Sequence, residues 1–214
     1  GRLKPQTPFL FIMHDEDEAG PFYHDLTQLL GTRQVLFFPS SYRRAIKYGQ
    51  LDSASQILRT EVLTQITTTQ HPSPTTLYIV TYPEALAEMV VPKQTLNART
   101  LVIEKGQVIP VGDITKQLRE LGFNEVDYVY EPGQFALRGS ILDVYSYSCE
   151  YPYRIDFFGD DVDSVRTFQV EDQLSLDVRD RVEIVPELEA TDAAQEPFLS
   201  LLPQDTIIAT KDTT

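Results

Sequence analysis

Cysteine, histidine and tryptophan are scarce in this chain, and each shortage removes a class of chemistry. A single cysteine, Cys149, rules out an intrachain disulfide and fits a reducing compartment. With three histidines and one cysteine in 214 residues, nitrogen and sulfur metal ligands are few. No apolar run approaches the roughly 20 residues that a membrane-spanning helix needs. The apolar stretch near the start, Phe9 to Met13, is of strand length and lacks the layout of a signal peptide. Positive charge is also short: 18 Lys and Arg stand against 32 Asp and Glu, a formal charge of −14. Such an excess repels nucleic acid in bulk, so any DNA contact would need a local basic patch.

The charge is unevenly placed. Arg33 to Arg59 holds five basic residues (Arg33, Arg43, Arg44, Lys47 and Arg59) and one acid, Asp52, whereas Ile155 to Asp192 holds twelve acids and three bases. This predicts two lobes of opposite character, although a charge run is also what an ordinary solvated face looks like.

Hydrophobic patterning divides the chain. Phe9-Leu-Phe-Ile-Met13 reads as a strand buried on both faces of a parallel sheet. Asp15 to Asp17 supply caps for a helix that would turn Phe22, Leu26, Leu29 and Leu30 inward and stop at Gly31. Gln34 to Phe38 and Thr76 to Thr81 are further strands. Between them Asp52 or Ser53 opens a helix with Leu58, Val62 and Ile66 on one face, and Pro83 opens a short helix running to Met89. From about Thr100 the pattern becomes β-rich: a strand to Glu104, a helix from Thr115 to Leu121, and extended segments over Gln134–Tyr147, Tyr151–Phe158, Val162–Val170 and Arg181–Val185. Asp205 to Thr210 suits a return to the first sheet. The expected architecture is therefore an α/β parallel-sheet domain, residues 1–99 and 187–214, interrupted by a smaller β-rich α+β domain over residues 100–186.

Catalytic patterns are mostly missing. Phe9-Leu-Phe-Ile-Met-His-Asp-Glu16 has the look of a magnesium-holding strand of a nucleotide hydrolase. Its partner phosphate loop is absent, since none of the ten glycines precedes a lysine. Asp15 and Glu16 then read as an acidic helix start. His14, Asp15, Asp17 and His24 match no metal-ligand spacing. His71 stands apart from any partner in the sequence, Cys149 lies in a turn without a neighbouring histidine, and no Gly-x-Ser-x-Gly elbow exists. By these residues the chain is not an enzyme, and it holds no cofactor or metal.

Tyr130-Glu-Pro-Gly-Gln-Phe-Ala-Leu-Arg-Gly-Ser-Ile-Leu-Asp-Val-Tyr145, followed by Tyr151-Pro-Tyr-Arg-Ile-Asp-Phe-Phe-Gly-Asp-Asp-Val-Asp-Ser-Val-Arg-Thr-Phe168, resembles the inserted domain shared by two bacterial repair families. These are the excision-repair helicase UvrB and the transcription-repair coupling factor (Mfd). Phe9 to Glu104 resembles the families' first domain, and Leu202 to Ala209 resembles the segment returning to it. Length separates the two families. UvrB-like chains carry a long tyrosine-rich hairpin after the second strand, whereas thirteen residues, with Tyr42 and Tyr48 as the aromatics, separate Phe38 from Asp52 here. The resemblance is therefore to the N-terminal UvrB-like module of the coupling factors.

That resemblance implies a degenerate helicase-like first domain without a phosphate loop and an inserted domain that binds UvrA through residues matching Arg138, Arg154 and Phe158. It also implies a cytoplasmic bacterial protein that is an ATP- and magnesium-dependent DNA translocase through domains beyond Thr214, where RNA polymerase and DNA would be engaged. A C-terminal domain of the same protein would cover the UvrA surface. The residues themselves leave two arrangements open. Alternation places Arg154, Asp156 and Phe158 on one face of a strand and Tyr153, Ile155 and Phe157 on the other. With the second set packed inward, an Arg and a Phe stand exposed together, as at a binding hot spot. Alternatively, Arg154 pairs with Asp156 or Asp143 across strands and Phe158 is core. The competing function is a DNA- or nucleotide-binding remnant that uses Arg43, Arg44 and Lys47.

Overall fold

The computed structural model describes residues 7–41, 53–67, 76–188 and 195–211. The chain runs β1 (Phe9–Ile12), α1 (Glu16–Leu30), β2 (Val35–Phe37), α2 (Ser53–Thr67), β3 (Tyr78–Thr81), α3 (Pro83–Ala87), β4 (Met89–Val90) and α4 (Lys93–Arg99). It continues through β5 (Leu101–Glu104), α5 (Val111–Glu120), β6 (Asn124–Glu125), β7 (Gln134–Arg138), β8 (Ile141–Val144), β9 (Tyr153–Phe158), β10 (Asp161–Phe168), β11 (Ser175–Arg179) and β12 (Arg181–Ile184). It closes with β13 (Glu196–Pro197), α6 (Phe198–Leu201) and β14 (Ile207–Thr210). Two compact units result, one from residues 1–94 and 192–214, the other from residues 95–191. Among the described residues no helix is long and apolar enough to cross a membrane.

The first unit is built on a parallel sheet in the order β14-β1-β3-β2. β1 has partners on both sides, Phe9 lying opposite Tyr78 of β3 and Ile207 of β14, which is why its sequence is apolar without alternation. The last strand thus returns beside the first, as its short apolar pattern predicts. The Asp15 side chain accepts a hydrogen bond from the Glu18 amide at 3.0 Å, with Glu16, Asp17 and Glu18 in the first turn of α1. The acidic run after β1 is therefore a helix start.

Two inward faces differ from expectation. α1 docks through Ala19 and through ring contacts, Phe22 on Phe11 at 5.3 Å and Tyr23 on Phe37 at 5.2 Å. Its last turn overhangs the sheet, so Leu29 is 80% exposed and Leu30 is exposed as well, rather than inward. In α2, Val62 is buried but Leu58 and Ile66 are half-buried; the buried stripe runs instead through Arg59, Leu63 and Thr67. Thr64 and Thr67 satisfy their hydroxyls on the carbonyls of Thr60 and Leu63, four residues back. The helix opened by Pro83 ends at Ala87, because Met89 and Val90 pair with β13.

The second unit has a six-stranded sheet, β11-β10-β9-β8-β7-β6, antiparallel except for the β6–β7 pair, and a separate β5–β12 ladder. Gln134–Tyr147 is not one extended segment: Gly139, at φ 61°, turns the chain back between β7 and β8. α5 begins at Val111, earlier than Thr115, and lays Ile114 and Leu118 on the sheet's inner face against Phe135, Leu142, Ile155, Val162 and Val165. It ends in a Schellman-type turn, with Gly122 at φ 90° and the Phe123 amide bonded to the Leu118 carbonyl at 2.9 Å. β11 is an exposed edge strand that alternates polar and apolar residues, and its Leu176 and Val178 stay exposed rather than facing the core.

Burial pushes the Tyr153 phenol in this core well above its usual value. A neutral group whose ionisation is suppressed only by folding contributes stability that is complete below about pH 10 and is lost as pH rises above it. Tyr153→Phe is therefore expected to flatten the fall in the second unit's melting temperature between about pH 10 and 11. An unchanged slope would assign that fall to other groups.

Candidate interaction site

The outer face of the six-stranded sheet carries an ordered set of charges. Cross-strand register places Asp143 opposite Arg154, and Arg154 opposite Arg166, while Asp156 lies opposite Ile141 and Ser164. Two arginines directly opposed would repel each other. They separate by leaning apart, Arg154 toward β8 and Arg166 toward Asp156, which also receives the Ser164 hydroxyl at 2.8 Å.

Asp143 is the centre of the arrangement. Its side chain is 1% exposed and accepts three donors: Arg154 Nε at 2.7 Å, Arg154 Nη2 at 2.8 Å and Arg138 Nη2 at 2.5 Å. The hydrogen bonds to Asp143 hold the Arg154 guanidinium above its usual value. Arg154 lies over the Phe168 ring at 4.0 Å and donates to Gln173 Oε1 at 2.8 Å. Among the described residues Gln173 is the non-glycine residue with positive φ, 63°. Arg138 also donates to the Asp127 carbonyl at 2.9 Å and stands over the Tyr128 ring at 4.8 Å.

Phe158 ends β9 at the Gly159 turn with 81% of its surface exposed. The strand alternates as its pattern predicts, with Tyr153, Ile155 and Phe157 buried on the inner side. The two arrangements left open are each realised in part: Phe158 is exposed and not core, while Arg154 is paired with Asp143. Arg154 does not stand free beside Phe158, for its side chain is 12% exposed and its donors are engaged by Asp143 and Gln173. Arg138 is the more accessible arginine. It walls an open depression of about 1020 Å3 lined by Tyr128, Tyr130, Gln134, Leu137 and the β6 end of the sheet. Tyr128 and Tyr130, both exposed, escape sequence reasoning because they lie in a loop with no periodicity to set their direction.

Other candidates do not gather. Among the described residues no three His, Cys, Asp or Glu side chains come close enough to hold a metal, so His14, Asp15, Asp17 and His24 form no such group. Arg43, Arg44, Lys47, Tyr42, Tyr48 and His71 lie outside the described residues. Arg59, the last of the basic segment, is buried.

The family model for the UvrB interaction domain matches residues 101–189, the segment that contains this face. A transcription-repair-coupling factor of Bacillus subtilis (strain 168) is 29% identical over 179 residues, which cover 84% of this chain and 15% of that protein. That of Escherichia coli (strain K12) is 38% identical over 117 residues, 54% of this chain and 10% of its own length. A UvrABC system protein B of Streptococcus uberis (strain ATCC BAA-854 / 0140J) is 24% identical over 175 residues, 78% of this chain and 26% of its own. The chain spans a small fraction of each relative. Residues 101–189 thus match the UvrB interaction domain, and the chain over most of its length is similar to part of a transcription-repair-coupling factor.

Proposed function

We propose that this module recruits UvrA during transcription-coupled nucleotide excision repair, using the outer face of the six-stranded sheet around Arg138, Arg154 and Phe158. The observation that carries this reading is Phe158: a phenylalanine 81% exposed at a strand end, on the face that holds three arginines, in a chain of net charge −14. Arg138, Arg154 and Arg166 are paired with Asp143 and Asp156 on this face, so Phe158 stands beside ordered, paired charge. The face suits a partner offering an apolar socket ringed by polar and charged groups. The chain itself is a binding module. Its parallel-sheet unit is a helicase-like remnant without a phosphate loop, and ATP-driven translocation and polymerase binding belong to other domains of the parent protein. The same face is where that protein's C-terminal domain would sit until the motor engages a stalled polymerase.

Calorimetric titration of the chain with its cognate UvrA tests the reading. Micromolar or tighter binding is expected, and a C-terminal fragment of the parent protein should compete for it. A wild-type chain that does not bind UvrA would overturn the proposal, and salt-sensitive binding to DNA would then favour the basic-segment alternative.

A further inference from the structure

The geometry points to Asp143 as the positioning residue of the recruitment face, a buried carboxylate that fixes Arg138 and Arg154 in the conformation presented to the partner. This inference rests on the recruitment reading and adds to it a residue that touches no partner itself.

Arg138 ends β7 and Arg154 lies in β9, with β8 between them. No direct contact could hold the two guanidiniums together, since like charges repel. Asp143, on the intervening strand, bonds both. An ionised carboxylate that is 1% exposed is costly unless it is paired and hydrogen-bonded, and the three donors it receives come from these two side chains. The constraint runs in both directions. The arginines keep the buried charge tolerable, and the charge removes their rotational freedom before any partner arrives. Remaining contacts fix the directions: Phe168 and Gln173 flank Arg154, while Tyr128 and the Asp127 carbonyl flank Arg138. Long cationic side chains otherwise lose rotamer freedom on binding, so a face ordered in advance binds more tightly.

Asp143→Asn keeps the shape of the side chain and removes the charge that orders both arginines. The test compares UvrA titrations of the wild-type chain, Asp143→Asn and Phe158→Ala, with side-chain NMR of the arginine Nε–H groups. Asp143→Asn should fold, bind UvrA at least about tenfold more weakly, and show Arg138 and Arg154 signals averaging toward those of solvent-exposed arginines. Averaged arginine signals in a folded variant that keeps wild-type affinity would mark the aspartate as merely structural. In a cycle with Arg138→Ala, the loss from Asp143→Asn should shrink, because one of the two ordered groups is already gone. Wild-type affinity in Asp143→Asn, alongside a loss in Phe158→Ala, would overturn the positioning role and leave the recruitment reading standing. Absence of wild-type binding would overturn the recruitment reading, and this inference with it. Should Asp143→Asn fail to fold, the wild-type spectrum decides: slow guanidinium rotation at both Arg138 and Arg154 supports the role, and free rotation at either overturns it.

Discussion

Phe158→Ala is expected to weaken UvrA binding by about 2–4 kcal/mol, roughly 30- to 1000-fold, while leaving the melting temperature of the second unit unchanged. The two halves of that expectation have separate causes. A ring 81% exposed contributes almost nothing to folding, so its truncation should fall within about 0.5 kcal/mol of neutral. The same ring is an exposed aromatic on the outer face that can enter a partner's socket, where anchor aromatics dominate binding energy. Arg154→Ala is a poorer probe. It strips two of the three hydrogen bonds from a carboxylate that is 1% exposed and uncovers Phe168, so lost binding would be mixed with lost stability. Calorimetry with a parallel thermal melt separates these effects. Binding by Phe158→Ala within threefold of wild type would remove Phe158 from the recruitment surface.

The contrast between Phe158 and Arg154 shows how much of the site was legible in the sequence. Strand alternation separates Tyr153, Ile155 and Phe157 from Arg154, Asp156 and Phe158, because period-2 geometry is local, but it leaves open whether Phe158 is exposed or core. The fate of Arg154 is not local. It depends on which residue of β8 comes opposite in register and on Phe168 of β10 lying beneath the guanidinium. Register also depends on seeing the Gly139 turn, which a run of strand-forming residues on either side conceals. The parallel sheet was readable from its apolar runs, including the return of Ile207 to Thr210 beside β1. The helix faces were less so. Leu29 and Leu30 continue an apolar pattern past the edge of what α1 covers, and the buried stripe of α2 contains an arginine and threonines, which hydropathy assigns to solvent.

That arginine carries the other large expectation: Arg59→Ala should destabilise the first unit by about 3–5 kcal/mol. Arg59 is 4% exposed, donates from Nη1 to the Pro39 carbonyl at 2.8 Å and lies 3.3 Å from Glu88 Oε2. Its guanidinium covers the Phe38 ring at 4.2 Å, and Phe38 stacks on Phe198 at 4.0 Å. Glu88 in turn accepts from the hydroxyls of Ser40 and Ser41 and from the Ser41 amide. One side chain therefore joins the end of β2, the helix α2, the segment after α3 and the returning helix α6. Alanine removes the charge partner of Glu88, the hydrogen bond to Pro39 and the packing on Phe38 together. Arg59→Met keeps much of the stem packing and should cost less. Amide hydrogen exchange is the suitable readout, because a two-unit chain need not unfold in one step. Protection should fall in β1, β2 and β3 and persist in β8, β9 and β10. A loss below about 1 kcal/mol, the scale of an exposed ion pair, would mean that Arg59 is replaceable by water and free to serve a basic surface. The expected loss instead removes it from any DNA-binding patch, since a guanidinium fully engaged inside the fold cannot also neutralise a phosphate.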